Sequence, residues 1–128
     1  MRYATIKKRR DFLKVRDGGK YQARRSFVIQ YFSYKTEPSS EVMQPEIRPP
    51  EFRLGVTATK RIGNAVKRNR CKRRLRALVR KNKDRVQKIL THSMDIVLIA
   101  RYTTPDIDYA TMEKEFIGCL GLLEKETW

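Results

Sequence analysis

Residues 60–81 read Lys60-Arg61-Ile62-Gly63-Asn64-Ala65-Val66-Lys67-Arg68-Asn69-Arg70-Cys71-Lys72-Arg73-Arg74-Leu75-Arg76-Ala77-Leu78-Val79-Arg80-Lys81, with 11 Lys or Arg among 22 residues and no acid. At about 100° per residue, a helix starting near Asn64 brings Cys71, Leu75, Leu78, Val79 and Asn82 onto about a third of its circumference, a core-facing stripe. Asn69, Arg70, Lys72, Arg73, Arg74, Arg76, Arg80 and Lys81 fill the remaining arc. No acid at i+4 offsets their repulsion. Guanidinium groups are fork donors for phosphates and base edges, so a ladder dominated by Arg points to a polyanion rather than to a merely solvated face. Arg68 lies about 60° from Cys71 on the wheel. Its stem is therefore expected along the sheet edge and its head in a cleft. Gly63 permits either a left-handed backbone or a close approach of another chain, and the free N–H groups nearby could add an anion site.

Just before this stretch, residues 52–59 alternate Phe52, Leu54, Val56 and Ala58 against Arg53, Gly55, Thr57 and Thr59, which predicts a half-buried strand. Residues 26–34 predict another, with Phe27, Ile29 and Tyr31 on one side and Val28, Phe32 and Tyr34 on the other. The two are expected to pair. Both sides of the second strand are apolar, so the face not covered by helices is either more core or an aromatic platform open to a ligand. Between them, residues 35–51 carry Pro38, Ser39, Ser40, Pro45, Pro49 and Pro50 and read as a mobile hairpin loop, since proline denies a strand its backbone donors. Residues 9–17 predict a short basic helix with Phe12 and Val15 on one face, ended by a left-handed cap at Gly18-Gly19. Residues 95–101 predict an apolar strand. Residues 109–123 predict a closing amphipathic helix with Met112, Phe116, Cys119, Leu120 and Leu123 in one stripe. The residues thus predict three helices and at least three strands.

The chain has 128 residues, 40% hydrophobic and 34% charged, enough apolar material for one domain spanning residues 1–128. Thirty Lys and Arg against 14 Asp and Glu give a formal charge of +16. Such self-repulsion is best relieved by an anionic partner, with nucleic acid first among the candidates. Residues 106–128 invert the sign, with six acids against Lys114 and Lys125, so this end is expected to face away from the anion. The most apolar run, residues 96–100, is far below the roughly 20 residues of a membrane span, and no signal-peptide block follows the N-terminus. A soluble, cytoplasmic protein is expected. Cys71 and Cys119 lack C-x-x-C spacing and accompany a single histidine, His92. Neither a zinc site nor a disulfide is expected, and the thiols are read as reduced and partly buried.

The stretch from Lys60 to Arg73, with Arg68-Asn69-Arg70 at its centre and Arg76 beyond, resembles the signature of the bacterial ribonuclease P protein component. Flanking segments agree in order and spacing: Arg10-Asp11-Phe12-Leu13-Lys14-Val15, Ser26-Phe27-Val28-Ile29, Leu54-Gly55-Val56, and Asp95-Ile96-Val97-Leu98-Ile99-Ala100-Arg101. The resemblance implies an α+β fold, an α/β sandwich of a small mixed sheet of about four strands packed with about three helices. It also implies a left-handed crossover, against the usual hand. The function it implies is assistance to a catalytic RNA that removes the 5′ leader from precursor tRNA, by a monomer in a 1:1 ribonucleoprotein. The protein would bind no cofactor, and Mg²⁺ held by the RNA would activate water. His92 stands alone with no carboxylate pair beside it in sequence, consistent with no catalytic residue and an inactive isolated chain.

By the family's pattern, Lys60, Arg61, Lys67, Arg68, Asn69, Arg70, Lys72, Arg73 and Arg76 would bind the RNA subunit. Phe12, Lys14, Arg16, Phe27, Ile29 and Tyr31 would line or neighbour a cleft for the leader. Three departures stand out. Arg16 occupies a position where the family often has a second aromatic, offering a cation–π or phosphate contact instead. Cys71 replaces a branched aliphatic residue, and its thiolate would be favoured by the surrounding cations if solvent reached it. The proline-rich loop is longer than the family norm. The main alternative is a ribosomal-protein-like RNA-binding module without a nuclease role, which would not need Arg-Asn-Arg. A DNA-binding reading of Asn69 lacks the preceding helix and tight turn. A protein-only nuclease would cleave precursor tRNA without added RNA.

Overall fold

A computed structural model describes residues 3–34, 51–90 and 92–125. Five strands, β1 (Ala4–Thr5), β2 (Lys20–Ala23), β3 (Phe27–Ser33), β4 (Phe52–Thr57) and β5 (Met94–Ala100), make one mixed sheet in the order β1-β4-β5-β3-β2. β1, β4 and β5 run parallel, and β3 and β2 complete the sheet antiparallel. The helices are α1 (Arg9–Gly18), α2 (Ala65–Lys81), α3 (Lys83–Ile89) and α4 (Tyr109–Glu124). The α+β architecture is as expected. The elements beyond the expected number are short: β1 has two residues, β2 four and α3 seven, too few for a periodic signal.

The expected pairing of β3 with β4 is wrong. β5 lies between them, hydrogen-bonded to both. All of its residues except Ile99 are buried, and a strand closed off on both faces belongs at the centre of a sheet. The segment joining β3 to β4 therefore connects strands that are not neighbours and is no simple hairpin loop; residues 35–50 themselves lie outside the described residues.

Alternation divides the sheet into two faces. On one, Phe27, Ile29 and Tyr31 of β3, Phe52 and Leu54 of β4, and Ile96 and Leu98 of β5 pack against the helices, forming the main core. The predicted stripes supply the other half: Cys71, Leu75, Leu78 and Val79 from α2, and Met112, Phe116, Cys119, Leu120 and Leu123 from α4. Phe27 and Phe116 meet edge-on at 6.3 Å. Each fully buried Leu or Phe contributes about 1.5–3 kcal/mol, so this face dominates the stability. The opposite face carries a smaller cluster of Ile6, Val15 and Val97, flanked by Phe12, Phe32 and Ile99.

Two glycines fix the entry to these elements. Gly63 has φ 143° and precedes Asn64, whose side chain accepts from the Lys67 N–H at 2.9 Å and caps α2. Gly19 is not the left-handed cap expected: its φ is −101°. The lack of a side chain serves close approach there, since a Cβ would lie 2.2 Å from the Tyr31 carbonyl oxygen and 2.7 Å from that of Val15.

Candidate nucleic-acid interface

The strand register lays three rows of side chains across the α1 side of the sheet. The first holds Arg53, Asp95 and Phe32, the second Gly55, Val97, Gln30 and Tyr21, and the third Thr57, Ile99, Val28 and Ala23.

The first row is closed by its own polar network. The buried Asp95 carboxylate accepts from Arg53 at 2.8 and 2.7 Å and from the Tyr34 hydroxyl at 2.6 Å. Asp11 of α1 lies 3.6 Å from the same guanidinium. Burial and the hydrogen bond to Asp95 push the Tyr34 hydroxyl up to about 12, so it remains a donor at neutral pH. Lys14 sits over the Phe32 and Tyr34 rings, with Nζ 5.1 and 4.7 Å from their centroids.

α1 covers the second row. The Phe12 ring lies directly on Gly55, where a Cβ would come 2.6 Å from Cε1, and Val15 packs with Val97. The row ends in half-buried Gln30 and exposed Tyr21. The third row is an open apolar shelf, with Thr57, Ile99 and Val28 half-buried and Ala23 exposed. A groove of about 440 Å³ joins this face to α2, lined by Lys7, Arg9 and Phe12 on one side and by Thr57, Ala58 and Lys72 on the other. A smaller recess of about 150 Å³ follows the β1 edge, where Tyr3 and Thr5 face Arg76 and Arg80.

The cations of α2 fall into two flanks. One is tied to the protein itself: Arg70 Nε donates to the Pro105 carbonyl at 2.7 Å, Arg74 donates to those of Thr104 and Ile107, and Lys81 lies 3.5 Å from Glu113. The other, Lys72, Arg76 and Arg80, lines the groove and the recess. Asn69 and Arg73 are exposed, and Arg68 is half-buried as its position on the wheel requires. Lys60 and Arg61 are exposed on a single 3-10 turn ahead of Gly63, and Lys67 is exposed in the first turn of α2.

Several expected site residues are placed elsewhere. Phe27, Ile29 and Tyr31 do not line the cleft, being 0–3% exposed in the main core. With both sides of β3 apolar, alternation sorts its residues into two sets without saying which set faces the two-helix layer. Val28, Gln30 and Phe32 are the residues on the cleft side. Lys14 belongs to the closed row, away from the open shelf. Arg16 is exposed and bound to Asp17 at 2.9 Å. Cys71 is sealed in the core, and burial raises its thiol despite nearby Lys67, Arg74 and Arg70, so it is no reactive thiolate. Arg74 is an internal clamp rather than part of a solvent-facing ladder. Sequence reasoning missed Lys7, Arg9 and Tyr21; the first two carried only their charge as a signal, and Tyr21 lies on a strand too short to read. Among the described residues, no three His, Cys, Asp or Glu side chains cluster as metal ligands.

The ribonuclease P family model matches residues 1–124. The ribonuclease P protein component of Syntrophus aciditrophicus is 40% identical over 118 residues, covering 92% of this chain and 82% of that protein. That of Streptococcus agalactiae is 33% identical over 91% of each chain. The Staphylococcus aureus RNase P protein superposes with a TM-score of 0.69 at 27% identity, covering 95% of this chain and 96% of that one. The Thermotoga maritima RNase P protein shares the fold, with a TM-score of 0.66 at 24% identity over 97% and 98% of the two chains. With the family model and the relatives matching nearly its whole length, and the fold in common, the chain belongs to the ribonuclease P protein family.

Proposed function

We propose that the chain is the RNA-binding subunit of a ribonuclease P. It assists a catalytic RNA in endonucleolytic removal of the 5′ leader from precursor tRNA, and the chemistry resides in the RNA. The observation that carries this reading is the open flank of α2, where Lys72 lines the groove that leads past Phe12 to the apolar shelf and Arg76 and Arg80 line the recess beside it. Cations that follow a backbone beside rings and apolar surface that accept bases are what an unpaired strand needs. Exposed Asn69 and Arg73, with half-buried Arg68, face outward for the RNA subunit. A ribosomal-type module without a nuclease role is not favoured, because membership of this family ties the chain to ribonuclease P.

The protein's part is electrostatic and positional. A chain of charge +16 lowers the repulsion between catalytic RNA and precursor tRNA, work otherwise done by high Mg²⁺. The Mg²⁺ ions held by the RNA supply the activation of water when bound. The α1 side of the sheet holds the leader as a single strand, so precursor is preferred over mature tRNA. The complex is a 1:1 ribonucleoprotein acting in the bacterial cytoplasm. Among the described residues no helix is long and apolar enough to cross a membrane.

Cleavage of a precursor tRNA by the chain alone, by a bacterial ribonuclease P RNA alone and by both, at low and high Mg²⁺, tests the reading. No cleavage by the chain alone is expected, with the largest protein-dependent stimulation at low Mg²⁺. Cleavage without RNA, or equal stimulation at both Mg²⁺ levels, contradicts it.

A further inference from the structure

Tyr21 is 70% exposed and lies on β2, the edge strand opposite the groove. It pairs in register with Gln30, and directly paired residues project from the same face of an antiparallel sheet. Its neighbour Gln22 projects to the other side, where Nε2 donates to the Tyr31 hydroxyl at 3.3 Å. The Tyr21 ring therefore stands on the α1 side, in the row that begins with Gly55 beneath Phe12 and beside the shelf of Thr57, Ile99, Val28 and Ala23. α1 offers no second ring there, since one turn after Phe12 comes Arg16, bound to Asp17.

We propose that Tyr21 is a base-stacking residue that carries the leader site past α1 to the β2 edge, holding leader nucleotides remote from the cleavage point. The proposal rests on the reading of the sheet face as the leader site. Three strand spacings separate Gly55 from Tyr21, about 14 Å at ~4.8 Å each. That distance accommodates about four nucleotides at the ~3.4 Å spacing of a stacked strand. The polarity follows from the groove: Phe12 shares it with Lys72 of the RNA-facing helix. Nucleotides next to the cleavage point, held by the RNA subunit, thus lie at Phe12, and those further upstream reach Tyr21. The occupant is RNA rather than an apolar partner because the shelf belongs to a chain of charge +16, and stacking on an exposed ring suits any base.

The test uses the reconstituted holoenzyme and precursors whose leaders are shortened one nucleotide at a time, with Tyr21→Ala and Tyr21→Phe. Tyr21→Ala is expected to weaken binding about fivefold or more for long leaders and to have no effect once the leader is about four nucleotides shorter than the length at which wild-type affinity saturates. Tyr21→Phe should bind like wild type, and 2-aminopurine in the upstream leader should lose its quenching only in Tyr21→Ala. Thermal unfolding should be unchanged. Loss at every leader length, loss with Phe as with Ala, or no loss at any length overturns the proposal. A wild-type holoenzyme that does not prefer precursor to mature tRNA overturns the leader site as a whole, whereas discrimination that is undiminished in Tyr21→Ala with long leaders overturns only the role of Tyr21.

Discussion

Phe12 and Gly55 act as one unit: the ring occupies the space a Cβ would take, 2.6 Å from Cε1. Because Phe12 also lines the open groove, its ring can yield outward. Gly55→Ala is therefore expected to cost about 1–3 kcal/mol of stability by overpacking and to weaken precursor binding as well, with mature tRNA unaffected; paired denaturation and binding curves check both. Gly19 has no such freedom, since backbone carbonyls surround it. Gly19→Ala should destabilise by about 3 kcal/mol or more, and a midpoint close to wild type would show that the α1–β2 junction is looser than described. Among ionisable groups, Glu115 links α4 to the start of β3. Burial alone would raise its carboxyl, but the Ser26 hydroxyl and N–H, at 2.5 and 2.9 Å, hold it below its ordinary value. A depressed carboxylate contributes stability that is fully present above its unfolded-state value and is lost as the pH falls through the lower folded value. The acid limb of a stability–pH curve should thus flatten in Glu115→Gln, and an unchanged limb would remove Glu115 from the explanation.

At the scale of elements, α2 carries two roles that residue type alone does not separate. Its core stripe was legible because Cys71, Leu75, Leu78 and Val79 repeat at helical spacing, and so was that of α4. The division of its cations was not, since Arg70 and Arg74 differ from Arg73 and Arg76 only through the position of the 101–107 loop, whose carbonyls they meet. The same limit applied to β3: two apolar sides left Phe27, Ile29 and Tyr31 as plausible for a cleft as Val28 and Phe32. The place of β5 between β3 and β4 is a non-local choice that neighbouring sequence does not reveal, and β2 is too short to show alternation. Arg74→Ala is expected to lower stability by about 1–3 kcal/mol, because it leaves carbonyls without their donor, while the salt dependence of RNA binding stays as in wild type. Chemical denaturation and a salt titration on the same sample decide whether Arg74 is the clamp described.

For the whole molecule, the distribution of charge is the consequence that matters. The open flank of α2, the groove and the shelf meet at one corner of the sheet. Acids of α4 are instead spent internally, Glu113 on Lys81 and Asn82 and Glu115 on Ser26. The protein thus presents at that corner a cationic surface that, among the described residues, is not matched by carboxylates, as the proposed RNA interface requires. The most direct measurement is the salt dependence of binding to a bacterial ribonuclease P RNA for wild type, Arg68→Ala, Arg73→Ala, Arg76→Ala and the control Glu124→Ala. Each Arg variant should lose about 1–3 kcal/mol of affinity and make the slope of log K against log salt shallower by about one unit for each phosphate contact removed, with unfolding midpoints unchanged. Glu124→Ala should match wild type. Arg variants that bind the RNA with wild-type affinity and slope would contradict the assignment of α2 as the RNA-binding element.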